Sequence, residues 1–131
     1  MKLKSLISNS KLSTKNLFDK LSVIENFETL MPESVSKFEL IDSESFLFSI
    51  KGMPTFKLKI EEKLTSKKIV LKSVESKITF YLTGYIKESD DKNSTFQIEF
   101  NGQLNPMMEM MVRTPLQTFI DDLSKNVKNL N

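Results

Sequence analysis

The sequence predicts an α+β fold, in which a sheet of short antiparallel strands is closed by one long helix. Three observations predict it. Between Val35 and Gln103 apolar residues recur at every second position, in short runs broken by turn residues, which is the period of half-buried strands. Ahead of that region lie a first strand and two short stretches at helical spacing. After it, Asn105-Pro106 opens one amphipathic segment that runs to Asn131 and carries Met107, Met108, Met110 and Met111. Nothing else in the chain can cover the apolar face of that segment, so it is expected to lie across the sheet. At 131 residues the chain is expected to form a single domain, 1–131, with one core.

The elements follow in order. Leu3, Ser5, Ile7 and Asn9 alternate with Lys4, Leu6 and Ser8, predicting a first strand. Ser13-Thr14 offers an N-cap to a helix that puts Leu17, Phe18 and Leu21 on one face. A second short helix is expected from Phe27 to Met31, stopped by Pro32. Phe38 and Leu40 then share a strand face, Asp42-Ser43-Glu44 makes a turn, and Phe46, Phe48 and Ile50 share the next face. Beyond Gly52-Met53-Pro54, Phe56, Leu58, Ile60 and Leu64 are expected to point one way, with Lys57, Lys59, Glu61 and Lys63 opposite. Ser66-Lys67-Lys68 turns the chain into Ile69, Leu71 and Ser73. Ile78, Phe80, Leu82, Gly84 and Ile86 face inward against Thr79, Tyr81, Thr83 and Tyr85. Glu88 to Ser94 reads as a polar loop, after which Phe96, Ile98, Phe100 and Gly102 complete the inner row. The count is seven strands, six of them a meander of hairpins.

Asn105 as N-cap and Pro106 at the first helical position start the closing helix. Its apolar stripe runs from Met108, Met111 and Val112 through Leu116, Phe119, Ile120 and Leu123 to Val127 and Leu130. Pro115 has no amide hydrogen to give the carbonyl of Met111, which predicts a kink.

Composition excludes several function classes. The net charge is only +2, and Arg113 is the one arginine among 19 basic residues, so no phosphate-reading basic stripe is present and no nucleic-acid partner is expected. Cysteine and histidine are absent, which removes disulfides, a thiolate nucleophile, a Ser-His pair and the usual zinc ligands. No cofactor, metal or catalytic set is expected. Met1 to Lys11 holds no signal-like apolar run, and nothing approaches the roughly 20 apolar residues of a spanning helix. The expectation is a cytoplasmic monomer with no integral membrane association.

Three segments carry a family resemblance: ENFETLMPE (Glu25 to Glu33), FSIKGM (Phe48 to Met53) and FNGQLNPMMEMMVRTPL (Phe100 to Leu116). With the element order, they make the chain resemble the START-like, Bet v 1-like (SRPBCC) superfamily, and within it the small bacterial proteins grouped with polyketide cyclases, dehydratases and lipid-transport proteins. The resemblance implies a helix-grip fold, a strongly curved sheet wrapped around the long helix with an apolar cavity between them. Enzymes of this superfamily place His, Asp, Glu, Tyr or Arg in that cavity.

The expected cavity lining comprises Phe27 and Met31 from the short second helix, Phe48 and Ile50, Phe56 and Leu58, and Leu82 and Gly84 from successive strands. Met108, Met111 and Phe119 complete it from the closing helix. Methionine is flexible and polarizable, which suits a wall that adapts to its contents. Phe46 belongs to the same apolar row, while Gly84 and Gly102 either leave volume or mark bends. Glu62 shares the inward register of Phe56 and Leu58, or else ends the strand at the rim. Tyr81 and Tyr85 are expected outside as cross-strand partners, and Arg113 to pair with Glu109 one turn back. The leading reading is binding, for transport or sequestration, of a hydrophobic or amphipathic small molecule such as a lipid. The alternatives are a cyclase- or dehydratase-type enzyme using Glu62, Tyr81 or Tyr85, which needs an inward ionisable group, and a partner-binding module, which needs an exposed apolar patch.

Overall fold

A computed structural model describes residues 1–90 and 92–130; Asp91, in the expected polar loop, and Asn131 lie outside the described residues. Two short strands, β1 (Lys2–Lys4) and β2 (Ser8–Ser10), open the chain. Helix α1 (Thr14–Leu21), a 3-10 turn at Ile24–Asn26 and helix α2 (Phe27–Leu30) follow. Strands β3 (Val35–Leu40), β4 (Ser45–Ile50), β5 (Thr55–Leu64), β6 (Lys68–Val74), β7 (Phe80–Glu88) and β8 (Ser94–Gly102) form the meander, and α3 (Pro106–Lys125) with a 3-10 turn at Asn126–Asn129 closes it. All pairings are antiparallel, in the order β1-β8-β7-β6-β5-β4-β3 with β2 also on β8. The result is a curved, open sheet gripping a long helix, as the sequence predicts.

The helix signals act as read. The Ser13 hydroxyl accepts from the Asn16 amide at 3.1 Å, and the Asn105 side chain accepts from the Met108 amide at 2.9 Å. Each satisfies an amide that the first turn leaves unpaired. Helix α3 runs unbroken through Pro115.

The strands depart from the expected pattern in two places. First, the opening strand is in two pieces. The Ser5 hydroxyl takes the Ile98 amide and the Leu6 amide goes to Asp121 on α3, while Ser124 on α3 donates to the Leu6 carbonyl. The ladder is therefore interrupted at Leu6, whose backbone α3 captures, while the Ser5 amide still donates to the Ile98 carbonyl of β8; Ile7 ends exposed. Second, β5 carries a bulge between Ile60 and Glu62. A bulge inserts one residue and so exchanges the two faces beyond it. Glu62 then opposes Val70, which opposes Thr83 on the outer face. Lys63, not Leu64, joins the inner face opposite Ile69, and Leu64 is exposed.

The core lies between the concave face and the helices. An aromatic series crosses that face: Phe38 contacts Phe46, Phe46 contacts Phe27 and Phe48, Phe48 contacts Phe56, Phe56 meets Phe80 edge-on, and Phe80 stacks on Phe100.

Candidate ligand pocket

Two apolar voids lie between the sheet and the helices. The first, about 50 Å³, is roofed by Leu21, Phe27, Leu30 and Met31 and floored by inward residues of β4 to β8. That floor includes Phe46, Leu58, Ile69, Leu71, Gly84, Phe96 and Ile98, with Leu123 of α3 at one side. The second, about 30 Å³, lies under the N-terminal half of α3, among Ile50, Met53, Phe56, Ile78, Phe80, Phe100, Leu104, Met108, Val112 and Leu116. Phe48, Leu82 and Phe119 belong to both walls. The Phe48 and Phe119 rings stack with centroids 5.4 Å apart and planes 17° from parallel, so a sheet ring and a helix ring together form the partition.

Of the residues expected to line a cavity, Phe27, Met31, Leu58 and Gly84 are in the first wall, Ile50, Phe56 and Met108 in the second, and Phe48, Leu82 and Phe119 in both. Met111 is a correction: it belongs to neither wall and is 72% exposed. At 100° per residue it points roughly 130° away from the centre line of Leu116, Phe119, Ile120 and Leu123, a signal the sequence did contain. Ile69, Leu71, Phe96 and Ile98 are wall residues on the period-two register that the candidate set left out.

The two inward glycines do not leave empty space. A Cβ on Gly84 would sit 2.7 Å from Cε1 of Phe96, so that ring occupies the missing side chain's place. At Gly102 the ring of Phe100 does the same, with Phe80 Cβ also 3.0 Å away.

Neither wall holds an ionisable side chain. Glu62, turned outward by the bulge, is exposed and lies 4.0 Å from Lys68. Tyr81 is on the outer face, with the Lys72 ammonium 5.7 Å from its ring centre. Arg113 pairs with Glu109 at 4.0 Å, as expected, and Glu109 also lies 3.5 Å from the N-terminal amine. Backbone amides and neighbouring polar side chains hold the Asp42 and Asp90 carboxyls below the usual range, and both residues sit in hairpin turns away from the voids. Lys63 reaches from the inner face to the Ser22 carbonyl at 3.4 Å. Among the described residues, no cluster of acidic side chains could hold a metal ion.

The two halves of α3 are held differently. Leu116, Phe119, Ile120, Leu123 and Ser124 are buried, and polar contacts reinforce them: Gln117 donates to the Lys4 carbonyl at 2.8 Å, and Asp121 accepts the Leu6 amide at 2.9 Å. Before Pro115 only Met108, Glu109 and Val112 are even half-buried, while Met107 and Met110 are 73% and 84% exposed. Among the described residues, no helix is long and apolar enough to cross a membrane.

No family model matches the sequence, and no curated protein matches it. Solved structures do. The protein XoxI from Bacillus cereus aligns with a TM-score of 0.75 at 9% identity, over 98% of this chain and 93% of its own. A Thermus thermophilus protein aligns with a TM-score of 0.74 at 11% identity, over 98% and 95%. Norcoclaurine synthase from Thalictrum flavum, solved in complex with dopamine and hydroxybenzaldehyde, gives a TM-score of 0.71 at 12% identity, over 100% and 88%. At such identities the shared property is the fold.

Proposed function

Because the chain has the helix-grip, Bet v 1-like fold, we propose that it binds a hydrophobic or amphipathic small molecule between the sheet and α3, for transport or sequestration. The observation that carries this reading is the pair of voids, lined almost entirely by apolar atoms, between the concave face of the sheet and the helices. Space that excludes water and offers it no partner is stabilised by filling it with apolar matter. That a neighbour of the same fold was solved with dopamine and hydroxybenzaldehyde supports a ligand-binding use of the fold in general.

The voids as they stand are far below the roughly 300 Å³ at which small-molecule sites begin, so occupation requires the walls to give. The N-terminal half of α3 is the more weakly held half, attached by half-buried Met108 and Val112 and by Glu109 beside the N-terminal amine. We place the chain in the cytoplasm as a monomer. The cyclase or dehydratase alternative asks for an inward acid or base, and neither wall offers one.

Equilibrium titration with an environment-sensitive dye and a panel of lipids tests the proposal. Displaceable binding at micromolar concentration is expected, and it should weaken when Leu82→Glu puts a charge into both walls. A protein that binds neither dye nor lipid would instead direct attention to Met107, Met110 and Met111, whose joint exposure favours a partner-binding reading.

A further inference from the structure

We propose that the two voids are the halves of one narrow channel for a linear, unbranched hydrocarbon chain, and that Phe119 sets which ligands pass from one half to the other. This inference rests on the binding function proposed above and specifies its ligand class.

The geometry restricts how the space can grow. Even a benzene-sized ring needs a cavity of about 150 Å³, whereas the voids hold about 50 and 30 Å³. Widening either one toward the sheet means displacing its inward residues, among them rings that brace one another. Phe46 is held by Phe27, Phe38 and Phe48, and Phe80 lies between Phe56 and Phe100. Phe119 differs. Among the described residues its only aromatic contact is with Phe48, and it is carried by the helix rather than the sheet. Of the two rings that form the partition, it is therefore the one that moves more readily, Phe48 being held by Phe46 and Phe56 as well. Because it stands between the voids, its movement adds space along their common axis and not across it. Space that lengthens without widening fits a flexible chain one methylene thick and excludes a fused polycycle.

The ends of the channel agree with this. Met31 lies in the wall at one end and Met53 and Met108 at the other, flexible side chains that adjust to a chain's length, while the middle is lined by stiff aromatic rings. The sheet residues that floor the channel contribute no polar atom that would fix the orientation of a compact ligand.

The test compares octanoate, dodecanoate and hexadecanoate with the rigid polycycles cholate and pyrene carboxylate, on the intact protein and on Phe119→Leu and Phe119→Ala. Affinity is expected to rise along the fatty-acid series and to exceed that for both polycycles. If the ring-displaced state is a minor one, populated at roughly a tenth, Phe119→Leu should raise hexadecanoate affinity about tenfold, with a much smaller change for octanoate. Leucine keeps the site apolar, and a denaturation midpoint for each variant separates binding from folding. Methyl-resolved NMR supplies a second readout: hexadecanoate should shift Leu21 and Ile69 at one end together with Ile78 and Leu104 at the other, and octanoate one end only. Polycycles binding as tightly as the long chains, or hexadecanoate shifting one end only, would overturn the channel and leave the binding function standing. Absence of binding by every probe to every variant would remove the binding function, and the channel with it.

Discussion

Adding one methyl group at each of two inward glycines should have unequal effects, for a reason that bears on the voids. In a strand interior, replacing glycine by alanine restores about 0.5–1 kcal/mol by restricting the unfolded chain, while overpacking a filled site costs about 1–3 kcal/mol. At Gly84 the obstruction is the far edge of the Phe96 ring, Cε1 at 2.7 Å and Cζ at 2.8 Å from the new carbon. Phe96 borders the larger void, so its ring can pivot into empty space and the cost stays near the lower bound. Gly84→Ala is thus expected to lose no more than about 1 kcal/mol net. At Gly102 the new carbon meets Phe100 Cζ at 2.9 Å and also Phe80 Cβ at 3.0 Å. A Cβ is fixed to its backbone, and Phe80 is the direct ladder partner of Gly102, so there is nothing to pivot. Gly102→Ala should therefore lose about 2 kcal/mol net. Urea denaturation resolves the difference, since for m near 1–2 kcal/mol/M the two midpoints separate by roughly 0.5–1 M. The Gly84 variant should also bind apolar ligands more weakly, its larger void having been taken up by Phe96. Equal losses at the two sites, or a larger loss at Gly84, would refute the claim that free volume lies beside Phe96.

Other expectations can be checked alongside. Pro115→Ala restores an amide that can reach the Met111 carbonyl and should stabilise the protein by about 2 kcal/mol, the roughly 3 kcal/mol helix penalty of proline less its benefit in the unfolded chain; the denaturation midpoint reads it directly. Amide exchange should be faster at residues 107–114 than at 116–124, because hydrogen bonds clamp the second group to the backbone of Lys4 and Leu6; equal protection would show that the two halves do not open separately. Ser124→Ala should cost about 1–2 kcal/mol, because the fully buried hydroxyl at 3.0 Å from Ser8, 3.2 Å from the Leu6 carbonyl and 3.3 Å from the Phe96 carbonyl is lost without replacement. Asp42 should titrate below 3.8, chiefly because the Glu44 amide and the Ser45 hydroxyl favour its charged form, and Asp90 likewise through the Asn93 side chain and the Lys92 amide. With folded values below unfolded ones, the stabilisation of these turns is present above the ordinary carboxylate pKa and disappears as pH falls through the folded values, which carboxyl-detected NMR follows.

What the sequence revealed and what it withheld divide along a physical line. Ser13 and Asn105 were legible because a cap acts on its own helix within three residues, and the inner rows of β4, β7 and β8 were legible because alternation is a local property. The bulge after Ile60 was not. Ile60-Glu61-Glu62-Lys63-Leu64 contains no glycine and reads as well in either register, so the choice is made by β6 across the ladder. The break in the first strand was likewise hidden, because what removes Leu6 from the ladder is Asp121 and Ser124, more than a hundred residues away. Walls are legible and voids are not: a period says which face a phenylalanine takes, but the slack between Phe119 and the sheet rings depends on distances that no pattern encodes.

The two halves of α3 explain why such a closed interface can still admit a ligand. Opening the clamped half would expose Leu116, Phe119, Ile120 and Leu123 and break the contacts of Gln117, Asp121 and Ser124, a cost comparable to the whole stability of a small domain. Lifting the first half exposes Met108 and Val112, each already partly in water, and separates half-buried Glu109 from the N-terminal amine. At about 25 cal/mol per Å² for the apolar fraction still covered, the loss is roughly 1 kcal/mol apiece, to which the Asn105 cap and the amine contact add, while the Arg113 pair of Glu109, open to water, adds little. The open state is then a few kcal/mol above the closed one, a minor population of the kind a ligand can select. Access is in this way assigned to the end of the helix that bears the exposed methionines, while the fold is held by the other. A proline between them lets one half move without carrying the second.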